Sequence, residues 1–149
     1  MYASIGLINP KSRWNMGGCL RAAKCYNVSM VAMSGERINR EFCNPGLTDT
    51  CKTYKHVPIV RTKNLKDVVP FSCVPVAIEF IEDSIPLQDY IHPERAFYIF
   101  GPEDGSISSE VRSWCKDTVY VPTTHCMNLA ATVNVVLYDR MAKLGRHKK

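Results

Sequence analysis

The sequence predicts an α/β fold, a mostly parallel sheet flanked by helices on both faces. Its short apolar runs show little alternation of polar and apolar side chains, the mark of strands buried on both sides. Helical stretches separate those runs, as parallel crossovers require. No internal repeat, low-complexity tract or linker divides the 149 residues, a length that suits one domain around one core. The expectation is therefore a single domain over residues 1–149.

The elements follow in order. Residues 2–8 read as the first strand. Asn15 is placed to cap a helix over 16–25. Residues 28–33, rich in β-compatible side chains, read as a second strand. Residues 34–56 hold Gly35, Pro45, Gly46 and many basic side chains, and read as a short helix with a long loop. A short strand fits 57–60. Residues 74–80 read as a buried strand, and 85–91 as one or two helical turns. Another buried strand spans 96–100 and stops at Gly101. A short helix fits 108–114 and a last strand 118–121. The longest helix runs over 127–144, with Met127, Ala130, Ala131, Val135, Leu137, Tyr138 and Met141 among its apolar residues.

Composition narrows the class. The chain is 46% hydrophobic and 22% charged, which suits a folded globular protein and excludes a disordered one. No apolar run approaches the roughly 20 residues of a membrane span, so no membrane association is expected. The first nine residues lack a basic start and end at Pro10, so they read as a strand rather than a secretion signal. There are seven cysteines, an odd number with no closely spaced pair; Cys43 and Cys51 have no second pair to complete a zinc site, and no metal is expected. These read as reduced, mostly buried thiols of a cytoplasmic protein.

The net charge of +5 is unevenly spread. Residues 1–66 carry +8, residues 67–110 carry −8 and residues 111–149 carry +5. A basic N-terminal part and a basic tail (Lys143, Arg146, Lys148, Lys149) suit a polyanion, or simply a solvated surface. The acidic middle argues against nucleic acid on every side.

A parallel sheet binds ligands at the carboxyl ends of its strands, so the loops there carry the chemistry. The first runs from Asn9 through Lys11, Arg13, Trp14 and Asn15 to Gly17 and Gly18, with Arg21 further along the helix. Lys11, Arg13, Arg21 and the stacking face of Trp14 form a candidate RNA contact set. The alternative is a basic turn capping a helix, with Trp14 in the core. The turn Gly101-Pro102-Glu103-Asp104-Gly105 is neither a P-loop nor a GxGxxG fingerprint. Its Glu103 is a candidate acid, base or hydrogen-bond acceptor, or a turn glutamate in water. The third loop, Pro122-Thr123-Thr124-His125-Cys126-Met127-Asn128, opens the long helix. His125 and Cys126 are adjacent, which makes a poor nucleophile dyad for a cysteine hydrolase. A buried, inert Cys126 is the simpler expectation.

In register, these loops resemble the three motifs of the SPOUT superfamily, in its SpoU/TrmH branch of RNA ribose methyltransferases. The first motif resembles Asn15-Met16-Gly17 with Arg21. The second resembles Gly101-Pro102-Glu103 and the glycine after it. The third resembles Val121-Pro122 followed by Cys126-Met127-Asn128-Leu129-Ala130. The pattern spans residues 2–141.

The resemblance implies a C-terminal deep trefoil knot, a homodimer joined through the first and last helices, and S-adenosylmethionine as cofactor. It implies a cofactor pocket of Ile78, Phe100, Gly101, Pro102, Val121, Pro122, Thr123 and Met127. It implies catalytic roles for Arg21, Asn15, Glu103, Cys126 and Asn128. The product is a 2′-O-methylated ribose, with tRNA the expected substrate because the chain resembles the minimal single-domain members. A second reading is a non-catalytic, RNA-binding relative. Three departures from the family pattern accompany these expectations. Four residues separate Pro10 from Asn15, only Asp104 separates Glu103 from Gly105, and Cys126 stands where serine is usual.

Overall fold

The computed structural model describes residues 1–37, 49 and 52–145. Seven strands form one parallel sheet: β1 (Tyr2–Ile8), β2 (Met30–Ser34), β3 (Ile59–Thr62), β4 (Val74–Ile78), β5 (Ile85–Pro86), β6 (Arg95–Phe100) and β7 (Asp117–Tyr120). Their order is β3-β2-β1-β6-β4-β7-β5. The helices are α1 (Arg13–Cys25), α2 (Ser109–Ser113) and α3 (Leu129–Lys143). The expected fold class is the one observed.

The strand side chains explain the layers. Ile5 and Leu7 of β1 join Tyr98 and Phe100 of β6 and Val76 of β4 on one face. Met16, Cys19, Leu20 and Ala23 of α1 and Val133, Val136 and Leu137 of α3 cover that face. Phe97 and Ile99 point to the other face, where Ala77, Leu65 and Ile107 meet them and α2 packs with Val111. Both faces are thus dry, and the apolar runs need no alternation. The helices α1 and α3 cross closely at Gly18, where an added Cβ would come within 2.7 Å of the Ala130 Cβ.

Several boundaries differ from the sequence expectation, each for a local reason. Helix α1 starts three residues early, because Ser12 rather than Asn15 is the cap and accepts from the Asn15 N–H. Strand β2 begins at Met30, since Asn27 turns the chain at φ 53° and delays the sheet. Strand β3 is displaced to Ile59, after Pro58, which has no N–H to donate. Strand β4 stops at Ile78, leaving Phe80 75% exposed rather than in a buried strand. Residues 85–91 are not helical turns alone; β5 precedes a 3₁₀ turn at Leu87–Asp89. Helix α2 is capped by Ser108, and α3 starts at Leu129 with Asn128 as cap, so Met127 stands outside it. Two further 3₁₀ turns, Thr53–Lys55 and Leu65–Val68, went unpredicted. Cys43, Cys51, most of the helix and loop expected over 34–56, and Arg146, Lys148 and Lys149 lie outside the described residues.

The C-terminal third has an unusual path. Val119 of β7 is level with both Ile78 of β4 and Ile85 of β5. Residues 79–84 join those two strands, yet β7 lies between them. The connection therefore crosses the line of β7. The Glu79 N–H donates to the Val119 carbonyl at 2.9 Å, and the Phe80 ring meets the Tyr120 ring edge-on at 5.0 Å.

Candidate active site

The carboxyl ends of β4, β6 and β7 surround a cavity of about 570 Å³. Its walls include Ile78, Phe100, Gly101, Pro102, Val121, Pro122, Thr123 and Met127, all eight of the pocket residues expected from sequence. They converge because parallel strands release their loops at the same edge of the sheet. Glu79, in the cofactor loop expected around residues 77–79, also lines the cavity, as do Phe80, Tyr120, Thr124, Leu129 and Thr132, which were missed as site residues. Phe80 was hidden by its assignment to a strand, and Leu129 and Thr132 by their place inside the long helix.

Glu79 fixes the shape of one wall. Its Oε2 accepts from the Ile107 N–H at 2.7 Å and its Oε1 from the Phe80 N–H at 3.1 Å. It thereby ties the end of β4 to the loop that follows β6.

The lip of the cavity is a chain of hydrogen bonds among three motif residues. Glu103 Oε1 accepts from Asn15 Nδ2 at 2.8 Å and from the Ser12 N–H at 3.0 Å, and its Oε2 accepts from the Lys11 N–H at 2.8 Å. Asn15 Oδ1 in turn accepts from Asn128 Nδ2 at 2.7 Å. Asn128 Oδ1 accepts from the Ala131 N–H and caps α3. Partial burial pushes the Glu103 carboxyl up, but the bonds from Asn15, Lys11 and Ser12 outweigh it and hold the carboxyl below the ordinary carboxylate value. Glu103 is a bonded carboxylate, not a turn glutamate in water. With Ser12 doing the capping, both ends of the Asn15 amide are released for this network.

Of the other expected residues, Lys11 joins that network through its backbone N–H. Arg21 lies on the exposed side of α1 and is not part of the cavity wall. Trp14 is 58% exposed, so it is not a core residue. Lys11 and Arg13 are exposed beside it. Cys126 lines the cavity and is exposed, which corrects the expectation of a buried thiol. The cause is its loop, which ends one residue before the α3 cap and leaves the side chain on the rim. The His125 ring bonds through Nδ1 to the Thr124 hydroxyl at 3.1 Å rather than to a thiol, so a Cys126–His125 dyad is not formed. The described cysteines are all free; Cys19 and Cys73 are buried, Cys25 and Cys126 exposed.

Among the described residues, no helix is long and apolar enough to cross a membrane. Residues 3–138 match the model of the SpoU rRNA Methylase family. The 23S rRNA (guanosine-2'-O-)-methyltransferase RlmB of Acinetobacter baylyi is 22% identical over 138 residues, covering 84% of this chain and 53% of that protein. The chain thus spans about half the length of that curated relative. The fold matches the SpoU methyltransferase AviRb from Streptomyces viridochromogenes, solved with AdoMet, at a TM-score of 0.83 and 18% identity, over 96% of this chain and 58% of that one. It also matches, at a TM-score of 0.81 and 18% identity, a protein studied for the 2-OH methylation of C/U34 on tRNA. There the overlap is 97% of this chain and 92% of the other.

Proposed function

Since the chain belongs to the SpoU rRNA methylase family, we propose that it is an S-adenosylmethionine-dependent RNA ribose 2′-O-methyltransferase whose substrate is tRNA. The observation that carries this reading is the Asn15–Glu103–Asn128 network at the lip of a cavity lined by all eight expected cofactor residues. The near-complete mutual overlap with the protein studied for tRNA methylation favours tRNA over ribosomal RNA.

The residues present fit the cofactor. A cavity of about 570 Å³ is within the ordinary range of small-molecule sites. Ile78, Phe100, Met127 and Leu129 offer apolar walls for an adenine ring and a thioether. When bound, S-adenosylmethionine supplies an electrophilic methyl group on a cationic sulfur. Glu79 and Glu103 place carboxylates on the same walls, which favours a cation there.

A ribose hydroxyl needs positioning and removal of its proton to react. A guanidinium is a poor general base, so the role of Arg21 is to hold a phosphate and stabilise the developing alkoxide. Asn15 and Asn128 orient the nucleotide, with Glu103 fixing the Asn15 amide. Cys126 stands at the rim beside them, and Lys11, Arg13 and Trp14 contact RNA.

The same reading includes a cytoplasmic homodimer. Val135 and Tyr138 on α3 are exposed apolar side chains suited to a joint between copies. It also includes the threaded C-terminus: the crossing of residues 79–84 over β7 is the kind of passage a trefoil knot requires.

The test is tritium transfer from labelled S-adenosylmethionine to total tRNA, followed by nucleoside analysis. Label in a 2′-O-methylated nucleoside is the expected result. Cofactor binding with no label in tRNA would move the substrate to ribosomal RNA. Failure to bind the cofactor would replace the enzyme with an RNA-binding relative.

A further inference from the structure

Next to Glu103, the Asp104 carboxylate faces outward and gathers two cations from different loops. Arg37 NH1 donates to Asp104 Oδ1 at 2.9 Å, and Lys11 Nζ lies 3.6 Å from Oδ2. Arg37 follows β2, Lys11 follows β1 and Asp104 follows β6, so three neighbouring strand ends meet at one exposed point beside the cavity.

The backbone at both cations is held by groups other than Asp104. The Lys11 N–H is held by Glu103. The Arg37 N–H donates to Asn9 Oδ1 at 3.1 Å, and the Asn9 N–H donates to the Ser34 carbonyl at 2.5 Å. Asn9 takes φ 43° and Gly35 takes φ 112°, where a Cβ on Gly35 would sit 2.5 Å from Asn9. The two turns are locked together, and they fix the backbone from which Arg37 reaches Asp104.

We propose that Asp104 stands in for an RNA phosphate between Lys11 and Arg37, and that RNA binding exchanges the carboxylate for a phosphate. This rests on the RNA methyltransferase reading above. Two cations on anchored backbone around a single exposed monoanion form a clamp with net positive charge. Exposed ion pairs hold weakly and are screened by salt, so the carboxylate is readily displaced. A phosphate accepts from both cations at once and releases counterions as it binds. Asp104 lowers the affinity of the empty clamp and so weakens retention of any polyanion that lacks a phosphate at this point.

The test is fluorescence anisotropy of a labelled tRNA transcript. At about 50 mM salt, Asp104→Asn should tighten binding about three- to tenfold, the sum of two exposed ion pairs removed from the free protein. Glu110→Gln on α2 makes the same charge change away from the site and should give a smaller gain. The Asp104→Asn gain should vanish when Lys11 and Arg37 are both alanine. A loop-staple role predicts the opposite sign, equal or weaker binding by Asp104→Asn, and that result overturns the proposal. A gain that persists without Lys11 and Arg37 also overturns it.

A second measurement needs no change at Asp104. The slope of log affinity against log salt should flatten by roughly 0.7–0.9 when Lys11 and Arg37 are both alanine, as expected when one fewer phosphate is neutralised. An unchanged slope sinks the proposal. Calorimetry of the wild-type protein with S-adenosylmethionine separates the two readings: no cofactor binding, with these RNA results intact, removes the methyltransferase and leaves the clamp.

Discussion

Asn128 Nδ2 donates to Asn15 Oδ1 across 2.7 Å, so the first turn of the last helix is bonded to the first turn of the first. The same Asn128 side chain caps α3 through the Ala131 N–H. One residue thus serves stability and site geometry together. Asn128→Ala should cost about 0.5–2 kcal/mol of stability through the lost cap. Methyl transfer should fall far more, by about a hundredfold, because the Asn15 amide loses one of its anchors. Thermal unfolding and single-turnover kinetics on the same sample separate the two effects.

Arg21 is exposed on α1 and outside the cavity wall. Arg21→Ala should therefore leave folding and cofactor binding intact and abolish methyl transfer. Full activity in this variant would remove Arg21 from the chemistry. Circular dichroism, calorimetry with S-adenosylmethionine and the tritium assay together give the answer.

At Gly18 an added Cβ would come within 2.7 Å of Ala130 Cβ on α3. Gly18→Val should wedge α1 and α3 apart at a cost of about 1–3 kcal/mol, with the Asn15–Asn128 bond strained as well. Denaturant unfolding should show the lower midpoint, and activity should fall with it. Gly18→Ala should show a smaller effect of the same sign.

His92 is buried at the opposite pole of the sheet. Its Nδ1 pairs with the Tyr98 hydroxyl at 2.6 Å and its Nε2 with Asp139 at 2.9 Å. Burial lowers its pKa, more than the Asp139 carboxylate raises it, and Lys143 and Arg140 lower it further. The folded protein therefore holds His92 neutral at pH values where the unfolded chain is protonated. Stability should decline as pH falls below about 6.5, because the unfolded state then binds more protons. His92→Gln should flatten that slope between about pH 7 and pH 5. An equal slope in both proteins would place the titration elsewhere.

The strands were largely legible because buried apolar runs are dictated by the sheet itself. Where they shifted, the cause was a single backbone event, such as Asn27 at positive φ or Pro58 without an N–H. The cap of α1 was misplaced because Ser12 and Asn15 are both good cap residues, and only the packed structure assigns Asn15 to Glu103. The pocket residues were legible through their motifs. The lip network was not, since Asn15 and Glu103 are 88 positions apart and Asn15 and Asn128 are 113 apart. No local pattern encodes such a bond. Cys126 was misjudged because thiols are usually buried, and its exposure depends on where the loop meets α3.

The crossing of residues 79–84 over β7 has a consequence for the timing of assembly. Among the described residues, strand β5 pairs only with β7, so it has no place in the sheet until a segment some 30 residues later in the chain has arrived. A ribosome releasing this protein from its N-terminus exposes β1, β2, β3, β4 and β6 first, and these can pair among themselves. The cavity, however, waits for β7 and the loop beyond it, because Tyr120 through Leu129 supply one of its walls. A chain cut short before residue 117 would keep most of its sheet and lack that wall, so ligand competence arrives after the bulk of the sheet has been made.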